Sequence, residues 1–193
     1  MRRPERALTT SEPLQHPSPS QLVWRHPAHA VSLGFGSGLW PLGPGTAGTL
    51  WGWASFLLID LMIPSALWPG ILVLALILGA WACGRTGTAL GRTDHGAMVW
   101  DEIVAFWLVL SCLPRPSDPW FSSVSAGLAD WQLQSLAFVL FRFFDIAKPP
   151  PIRALDALTT GGWGVMVDDL VAALFTLLSC ALILRGLLFW GGL

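Results

Sequence analysis

Half of the twelve carboxylates of this chain lie in three short stretches that flank or enter apolar segments. Acidic residues beside a hydrocarbon phase are costly, which makes them candidates for function. Neighbouring carboxylates also repel one another and take up protons unless a cation neutralises them. A hard, oxygen-seeking ion such as Mg²⁺ suits a set made only of carboxylates, and the sequence lacks the thiolate or histidine clusters typical of zinc sites. The six acids are Asp94, Asp101, Glu102, Asp145, Asp168 and Asp169.

The spacing in the first stretch predicts shared helix faces. Asp94 precedes Asp101 by seven residues, and the same interval separates His95 from Glu102. Each pair therefore lies on one face, two turns apart, if the helix is continuous. His95 is a candidate general acid, general base or nucleophile. A supporting or capping role is the alternative for this side chain.

The second stretch adds cations to the acids. Arg142, Asp145 and Lys148 recur every three residues, which predicts that they face one way, and Lys148 is the only lysine of the chain. An arginine presents a fork that suits phosphate or carboxylate, and a lysine presents a compact charge. Metal-binding acids with an arginine and a lysine suit phosphoryl chemistry, because charge on the non-bridging oxygens must be neutralised. The alternative is structural: the acids form ion pairs with Arg92 and these two cations, and Asp168 caps the last helix.

A glycine-rich stretch, FGSGLWPLGPGTAGTL (residues 35–50), precedes the first apolar segment. Its glycines allow close backbone approach, and Ser37, Thr46 and Thr49 offer hydroxyls to an anion. Thr46 or Thr49 is also a candidate cap for the first helix, whose positive end would then point at a phosphate. This predicts a lid or cradle, with a purely structural turn as the alternative.

Other phosphate-handling signatures are absent from the sequence. The glycine-rich stretch has the glycine spacing of a P-loop but continues with Thr49-Leu50, where that motif needs Lys and Ser/Thr. No cysteine is followed by an arginine six residues later, and no DxDx[TV] stretch occurs. The sequence therefore gives no support for a nucleotide cofactor.

The composition indicates a membrane protein. Hydrophobic residues make up 53% of the chain and charged residues 12%, about half the usual share for a soluble protein. The mean hydropathy is +0.59, and the twelve tryptophans favour membrane interfaces. A very apolar soluble bundle is the alternative. A net charge of −1 without a basic cluster argues against a nucleic-acid partner.

Five apolar segments follow the glycine-rich stretch, and none alternates in polarity as a strand does, so helices are predicted. The prediction is a single-domain, all-α, membrane-embedded bundle of about five long helices, some of them short for a full span or partly embedded. The segments are 49–68, 71–83, 103–113, 131–144 and 170–190.

Positive charges predict the orientation and the ends of the domain. Four arginines precede the first segment, so the N-terminus is expected to be cytoplasmic. If all five segments cross, connections 84–100 and 145–169 are cytoplasmic too, which brings the acidic stretches and the glycine-rich stretch to one face.

Residues 1–28 are polar and proline-rich without a signal peptide, and are predicted to be disordered. The helical domain is expected over 29–193, with three free buried cysteines.

Four blocks of this sequence resemble the signature blocks of the bacterial phosphatidylglycerophosphatase A family. They appear in the family's order and cover most of residues 33–172. The resemblance implies an all-helical bundle around a central helix. It also implies a Mg²⁺-dependent phosphatase of the bacterial inner membrane, which converts phosphatidylglycerophosphate to phosphatidylglycerol. The blocks are FGSGLWPLGPGTAGTL, DHGAMVWDE, FRFFDIAKPPPI and GGWGVMVDD.

The residues and the resemblance together give a site hypothesis at the cytoplasmic face of the membrane. The metal ligands are expected to be Asp101, Glu102, Asp168 and Asp169. Catalytic roles are expected for Asp94, His95, Asp145 and Lys148. Phosphate binding is expected from Ser37, Thr46, Thr49, Arg142 and Lys148. The apolar segments are expected to hold the acyl chains of a phospholipid that stays in the bilayer.

Three rival interpretations remain at this point. A small ion-coupled transporter or channel subunit would use the same acids as a cation path, but it predicts charges spread along the membrane depth. A non-catalytic membrane scaffold leaves the costly acidic pairs unexplained. A phosphatase for another lipid phosphate, such as phosphatidic acid, differs only in its substrate.

Overall fold

The computed structural model describes residues 16–150 and 161–191, and every regular element in these two ranges is helical. The predicted all-α class is therefore confirmed. Two short 3₁₀ helices, Gly34–Leu39 and Ser65–Leu67, join longer elements. The α-helices are α1 (Pro19–Leu22), α2 (Pro27–Ser32), α3 (Pro44–Asp60), α4 (Trp68–Leu90), α5 (Trp100–Cys112), α6 (Phe121–Val124), α7 (Asp130–Ala147) and α8 (Gly161–Gly191).

Helix α5 is the centre of the bundle. It packs against α3, α4, α7 and α8, and its middle turns are fully buried from Ile103 to Phe106. Two indoles fix its position: Trp100 Nε1 donates to Ala75 O at 3.0 Å, and Trp107 Nε1 donates to Gly52 O at 2.9 Å. A buried indole N–H needs such an acceptor. These bonds tie α5 to α4 and α3, so the residues at the start of α5 are held by a rigid frame.

The five predicted apolar segments correspond to α3, α4, α5, α7 and α8. Within residues 16–150 and 161–191, only two of these helices are long and apolar enough to cross a membrane. These two candidate spans cover Ser65–Leu90 and Gly161–Trp190, and only 33% and 28% of their most apolar windows is buried. Core helices of soluble proteins bury such residues. The outward apolar surface of α4 and α8 indicates a membrane-associated protein.

The first predicted segment, 49–68, is divided in the structure. Helix α3 ends at Asp60, and Pro64 precedes the 3₁₀ turn that leads into α4. A proline lacks the amide proton that continues a helix, and it disfavours a helical conformation in the residue before it. Asp60 and Pro64, which interrupt the apolar segment in the sequence, therefore mark the place where α3 ends and the chain turns into α4.

The N-terminal boundary lies earlier than predicted. Residues 16–28, placed in the disordered extension, include α1 and the start of α2, and Val23 is 2% exposed in the core. This part belongs to the folded domain because its apolar side chains pack against the bundle. Residues 1–15 lie outside the described residues.

A polar cluster closes one end of the bundle, and we call it the Asp60 clamp: Asp60, Trp68 and Arg115. Asp60 Oδ1 accepts from Arg115 Nη1 and from Trp68 Nε1, each at 2.7 Å. The Arg115 guanidinium also lies over the Phe56 ring, 5.6 Å from its centre. One carboxylate thus serves two donors, and the cluster connects the end of α3, the start of α4 and the loop after α5.

Candidate active site

Parts of four helices meet at the other end of the bundle, and all of them bring polar residues. The starts of α3 and α5, the end of α7 and the second turn of α8 converge there. We call this region the acidic end, after its five carboxylates: Asp101, Glu102, Asp145, Asp168 and Asp169.

Three of these acids form a cluster suited to a metal ion. Glu102, Asp145 and Asp169 each offer one carboxylate oxygen, and these oxygens lie within 4.8 Å of one another. Two of the four predicted ligands, Glu102 and Asp169, belong to this trio. Asp145, predicted for a catalytic role, completes it from α7. Asp101 lies next to the trio, where its charge acts on Asp169.

Arg142 connects the trio to α3. Its Nη1 donates to Asp145 Oδ2 at 2.5 Å and to Glu102 Oε1 at 3.2 Å, and it lies 3.4 Å from Thr49 Oγ1. Arg142 and Asp145 are three residues apart on one helix, so their side chains share a face, as the sequence predicts. The Arg142 side chain is 14% exposed, and its guanidinium contacts both carboxylates.

Lys148 lies at the end of α7 and reaches α8. It is the C-cap residue, in the left-handed conformation with φ 39°, and Pro149 follows it. Its Nζ donates to Asp168 Oδ2 at 2.5 Å. The structural alternative, in which Asp168 caps the last helix, does not hold, since α8 begins at Gly161 and Asp168 lies two turns inside it.

The acidic end holds more carboxylates than its cations serve. Among the described residues, five acids meet one arginine and one lysine, and buried carboxylate oxygens that accept no hydrogen bond include Asp101 Oδ1, Glu102 Oε2 and Asp169 Oδ2. Buried polar atoms are rarely left without a partner, so each of these oxygens calls for a ligand. A hard cation with oxygen ligands fits this donor set.

Burial and mutual repulsion also change the acidity of the first turn of α5. Burial raises the pKa of Glu102 to about 8, and the Asp145 carboxylate adds to the rise while Arg142 opposes it. Burial raises the pKa of Asp101 well above its usual value, with the charges of Glu102, Asp168 and Asp94 acting in the same direction. Perturbed carboxyl groups of this kind are concentrated at functional sites.

Glycines let the backbone of α3 approach the acids. A Cβ on Gly45 would overlap Glu102 Oε1 and lie 2.9 Å from Arg142 Nη2. A Cβ on Gly48 would lie 2.9 Å from Glu102 Oε2 and 2.6 Å from Val99 Cβ. The sequence predicts close backbone approach in this stretch, but the approached groups are Glu102 and Arg142, which no local pattern could identify.

Asp94 and His95 lie in the loop between α4 and α5, not on a continuous helix. Helix α4 stops at Gly91, a left-handed cap with φ 69°, and α5 starts only at Trp100. The shared helix faces expected from the seven-residue spacing are therefore wrong. Asp94 is exposed. His95 Nδ1 accepts from the Ala97 amide at 3.1 Å, which organises the loop locally.

The three hydroxyl residues of the glycine-rich stretch have different surroundings. Ser37 Oγ donates to Gly34 O at 2.9 Å, and Thr46 is exposed. Thr49 is buried; its Oγ1 donates to Gly45 O at 2.9 Å and therefore faces Arg142 as an acceptor. Neither threonine caps α3, because the helix starts with Gly43 as the N-cap and Pro44 behind it.

The fold and the cluster together define a helical, membrane-associated bundle with buried acids and two cations at one end. The family model described as phosphatidylglycerophosphatase A matches residues 30–184. The chain belongs to the phosphatidylglycerophosphatase A family, as the four sequence blocks indicate.

Named relatives agree with this assignment. The chain is 36% identical over 157 residues to phosphatidylglycerophosphatase A of Escherichia coli, covering 81% of this chain and 83% of the relative. It is 37% identical over 171 residues to phosphatidylglycerophosphatase A of Haemophilus influenzae, covering 89% and 94%. A putative phosphatidylinositol-3-phosphatase of Bacteroides thetaiotaomicron is 34% identical over 155 residues, covering 78% and 89%. No solved structure is significantly similar to the chain.

Proposed function

We propose that this protein is a metal-dependent lipid phosphatase that hydrolyses phosphatidylglycerophosphate to phosphatidylglycerol and phosphate. The observation that carries the proposal is the trio Glu102, Asp145 and Asp169, beside Arg142 and Lys148, in a chain of this family. Acids that hold a metal next to an arginine and a lysine match the charge that develops on a phosphoryl group.

Mg²⁺ is the cation that we assign to the trio. The donors are all carboxylate oxygens, and Glu102 Oε2 and Asp169 Oδ2 are buried without a hydrogen bond. Asp101 stands next to the trio as a further ligand. When bound, the ion would neutralise charge on the phosphate and lower the pKa of a coordinated water.

The cations of the chain would hold the phosphate. Nη1 of Arg142 is engaged with carboxylates, and both Nη1 and Nη2 lie beside Gly45 at the start of α3. The first amides of a helix favour an anion, so this corner offers a guanidinium and a helix N-terminus together. Lys148 supplies a second positive charge from the opposite side, held in place by Asp168.

A group near the acidic end must accept the proton of the attacking water and return one to the leaving alkoxide. Asp94 and His95 lie in the loop that leads into α5, and the Asp94 charge acts on Asp101 and Glu102. We assign proton transfer to this loop. The alternative base is Asp145, the member of the trio that α7 contributes.

The proposed setting is the cytoplasmic face of the bacterial inner membrane, with several helices crossing. The candidate spans α4 and α8 support this setting, as do the arginines that precede them in the sequence. All groups of the acidic end lie at one end of the bundle. That placement suits an enzyme at an interface and does not favour an ion path through the membrane.

The test is phosphate release by purified protein in mixed micelles, with and without Mg²⁺. We expect release from phosphatidylglycerophosphate only with Mg²⁺, and a fall of about 10²–10³-fold in Asp169→Asn, comparable to the loss of a main charge-stabilising group. The matched control is Asp130→Asn, on the first turn of α7 at the far end. Phosphate release without metal, or equal rates in both variants, would refute the proposal.

The same assay decides between lipid headgroups. Phosphatidic acid and phosphatidylinositol 3-phosphate also carry a phosphomonoester, but in each of them the phosphate is attached to a different alcohol. Because one relative is named as a putative phosphatidylinositol-3-phosphatase, the second of these lipids is a necessary comparison. We expect the highest kcat/KM for phosphatidylglycerophosphate, and a higher value for either competitor would reassign the substrate.

A further inference from the structure

A groove of about 650 Å³ runs along the outer face of α3, next to the acidic end. One wall is the segment from Ser37 to Leu42, which includes Trp40. The other wall is a helical stripe in which residues recur every three or four positions. That stripe contains Gly43, Thr46, Ala47, Leu50, Trp51 and Ala54. At 1.5 Å per residue, the stripe is about 16 Å long.

The groove and the site share the first turn of α3. Thr46 lines the groove, and the preceding residue, Gly45, contacts Glu102 and Arg142 on the inner side of the same turn. The opposite wall is anchored there as well, because Gly38 packs directly on the Ala97 carbonyl in the loop before α5. The groove therefore begins within one residue of the backbone that lies against Arg142.

The polarity of the lining changes along the groove. The lining hydroxyls belong to Ser37 and to Thr46 in the first turn of α3, whereas Leu50, Trp51 and Ala54 line the groove one to two turns further along that helix. Trp40 is 59% exposed and Trp51 is 42% exposed, as tryptophans at a membrane interface commonly are. A phospholipid has the same order: phosphate, then glycerol and esters, then acyl chain.

The geometry points to this groove as the subsite for the glycerol and one acyl chain of the lipid substrate. This inference rests on the proposed function, since it takes the phosphate site to be at Arg142. The lipid would keep its headgroup at the acidic end while one chain lies along α3. The groove would then distinguish a lipid phosphate from a water-soluble one.

The experiment fills the groove and compares two substrates. Leu50→Trp and Ala54→Trp add bulk to exposed positions in the groove, and Leu74→Trp makes the same exchange on the outer face of α4, where Leu74 is 68% exposed. The substrates are dioleoyl phosphatidylglycerophosphate in mixed micelles and its deacylated headgroup in solution.

We expect the KM for the lipid to rise about tenfold in both groove variants, with kcat near the wild-type value. The reason is that the variants lose binding to the acyl chain, which is remote from the reacting phosphate. Hydrolysis of the soluble headgroup should change less than twofold, and Leu74→Trp should resemble the wild type with both substrates. Equal losses on both substrates, or no loss on the lipid, would overturn the subsite.

A binding measurement covers the case in which a groove variant does not fold or the headgroup is not turned over. A lipid with a photoactivatable diazirine in its acyl chain should label wild-type residues 40–54, and Ala54→Trp should abolish that label while Leu74→Trp keeps it. Labelling confined to other helices would overturn the inference. Labelling of the groove without any phosphate release would instead contradict the proposed function.

Discussion

The two ends of the bundle differ in how fully their charged groups are paired. In the Asp60 clamp, one carboxylate receives Arg115 and Trp68 at 2.7 Å each, and its demands are met by its neighbours. At the acidic end, five carboxylates share two cations among the described residues, and buried oxygens of Asp101, Glu102 and Asp169 accept no hydrogen bond. A polar cluster whose atoms all find hydrogen-bond partners within it stabilises the fold. A cluster that leaves buried polar atoms without partners is expected at a functional site.

The first prediction concerns the contact between α3 and the acidic end. Gly45→Ala should lower kcat/KM by about 10²-fold, because its Cβ would overlap Glu102 Oε1 and displace both Glu102 and Arg142. The measurement is phosphate release from the lipid at saturating Mg²⁺, together with the thermal midpoint.

Gly70→Ala on α4 is the matched control, because a Cβ there meets nothing within 4 Å. Its activity should equal that of the wild type, and its free energy of unfolding should rise by up to about 1 kcal/mol, since alanine favours a helix over glycine. If both glycine variants keep full activity, α3 does not position the acids.

The second prediction concerns the Asp60 clamp. Asp60→Ala removes the acceptor of both Arg115 and the buried indole of Trp68, and should lower the free energy of unfolding by about 2 kcal/mol. For a chain of this length that is about 4–8 °C in thermal midpoint. Phosphatase activity at low temperature should be unchanged. A loss of activity without a loss of stability would reverse the roles of the two ends.

The smallest effect is expected for a substitution of His29, which belongs neither to the Asp60 clamp nor to the acidic end. Burial lowers the pKa of His29, and the charges of His26 and Arg85 act in the same direction, while its Nδ1 lies 2.9 Å from Thr86 Oγ1. The folded state therefore binds fewer protons at this site than the unfolded state. Its contribution to stability is complete above the usual histidine pKa of about 6.5 and is lost as the pH falls through the lower folded value.

His29→Asn keeps a hydrogen-bonding group near Thr86 but does not titrate. Between pH 7.5 and pH 5, the thermal midpoint of the wild type should fall more than that of the variant. Equal falls would show that His29 titrates alike in both states.

Much of this architecture is readable from the sequence, and the failures have specific causes. The five long helices follow from apolar segment length, and the three acidic stretches identify the acids that meet at one end. The seven-residue spacing of Asp94 and Asp101 misleads, because Gly91 ends α4 in a left-handed conformation and a loop precedes Trp100. Spacing reports a shared face only within one unbroken helix.

The composition of the trio could not be read from local patterns. Asp145 joins Glu102 and Asp169 because α7 and α8 pack so that three carboxylates from three helices converge. Asp168, equally acidic and next in sequence to Asp169, turns instead to Lys148. Adjacent helical residues point in directions about 100° apart, so only the packing decides which of them reaches the centre.

The most direct test of the account is the thermal midpoint of the purified protein with and without Mg²⁺. If the acidic end takes up the ion, a concentration of about 100 times the dissociation constant should stabilise the wild type by about 2.7 kcal/mol, roughly 5–10 °C. Asp60→Ala should show the same shift from a lower starting point, and Asp169→Asn should show almost none. An equal shift in Asp169→Asn, or no shift in the wild type, would contradict the account.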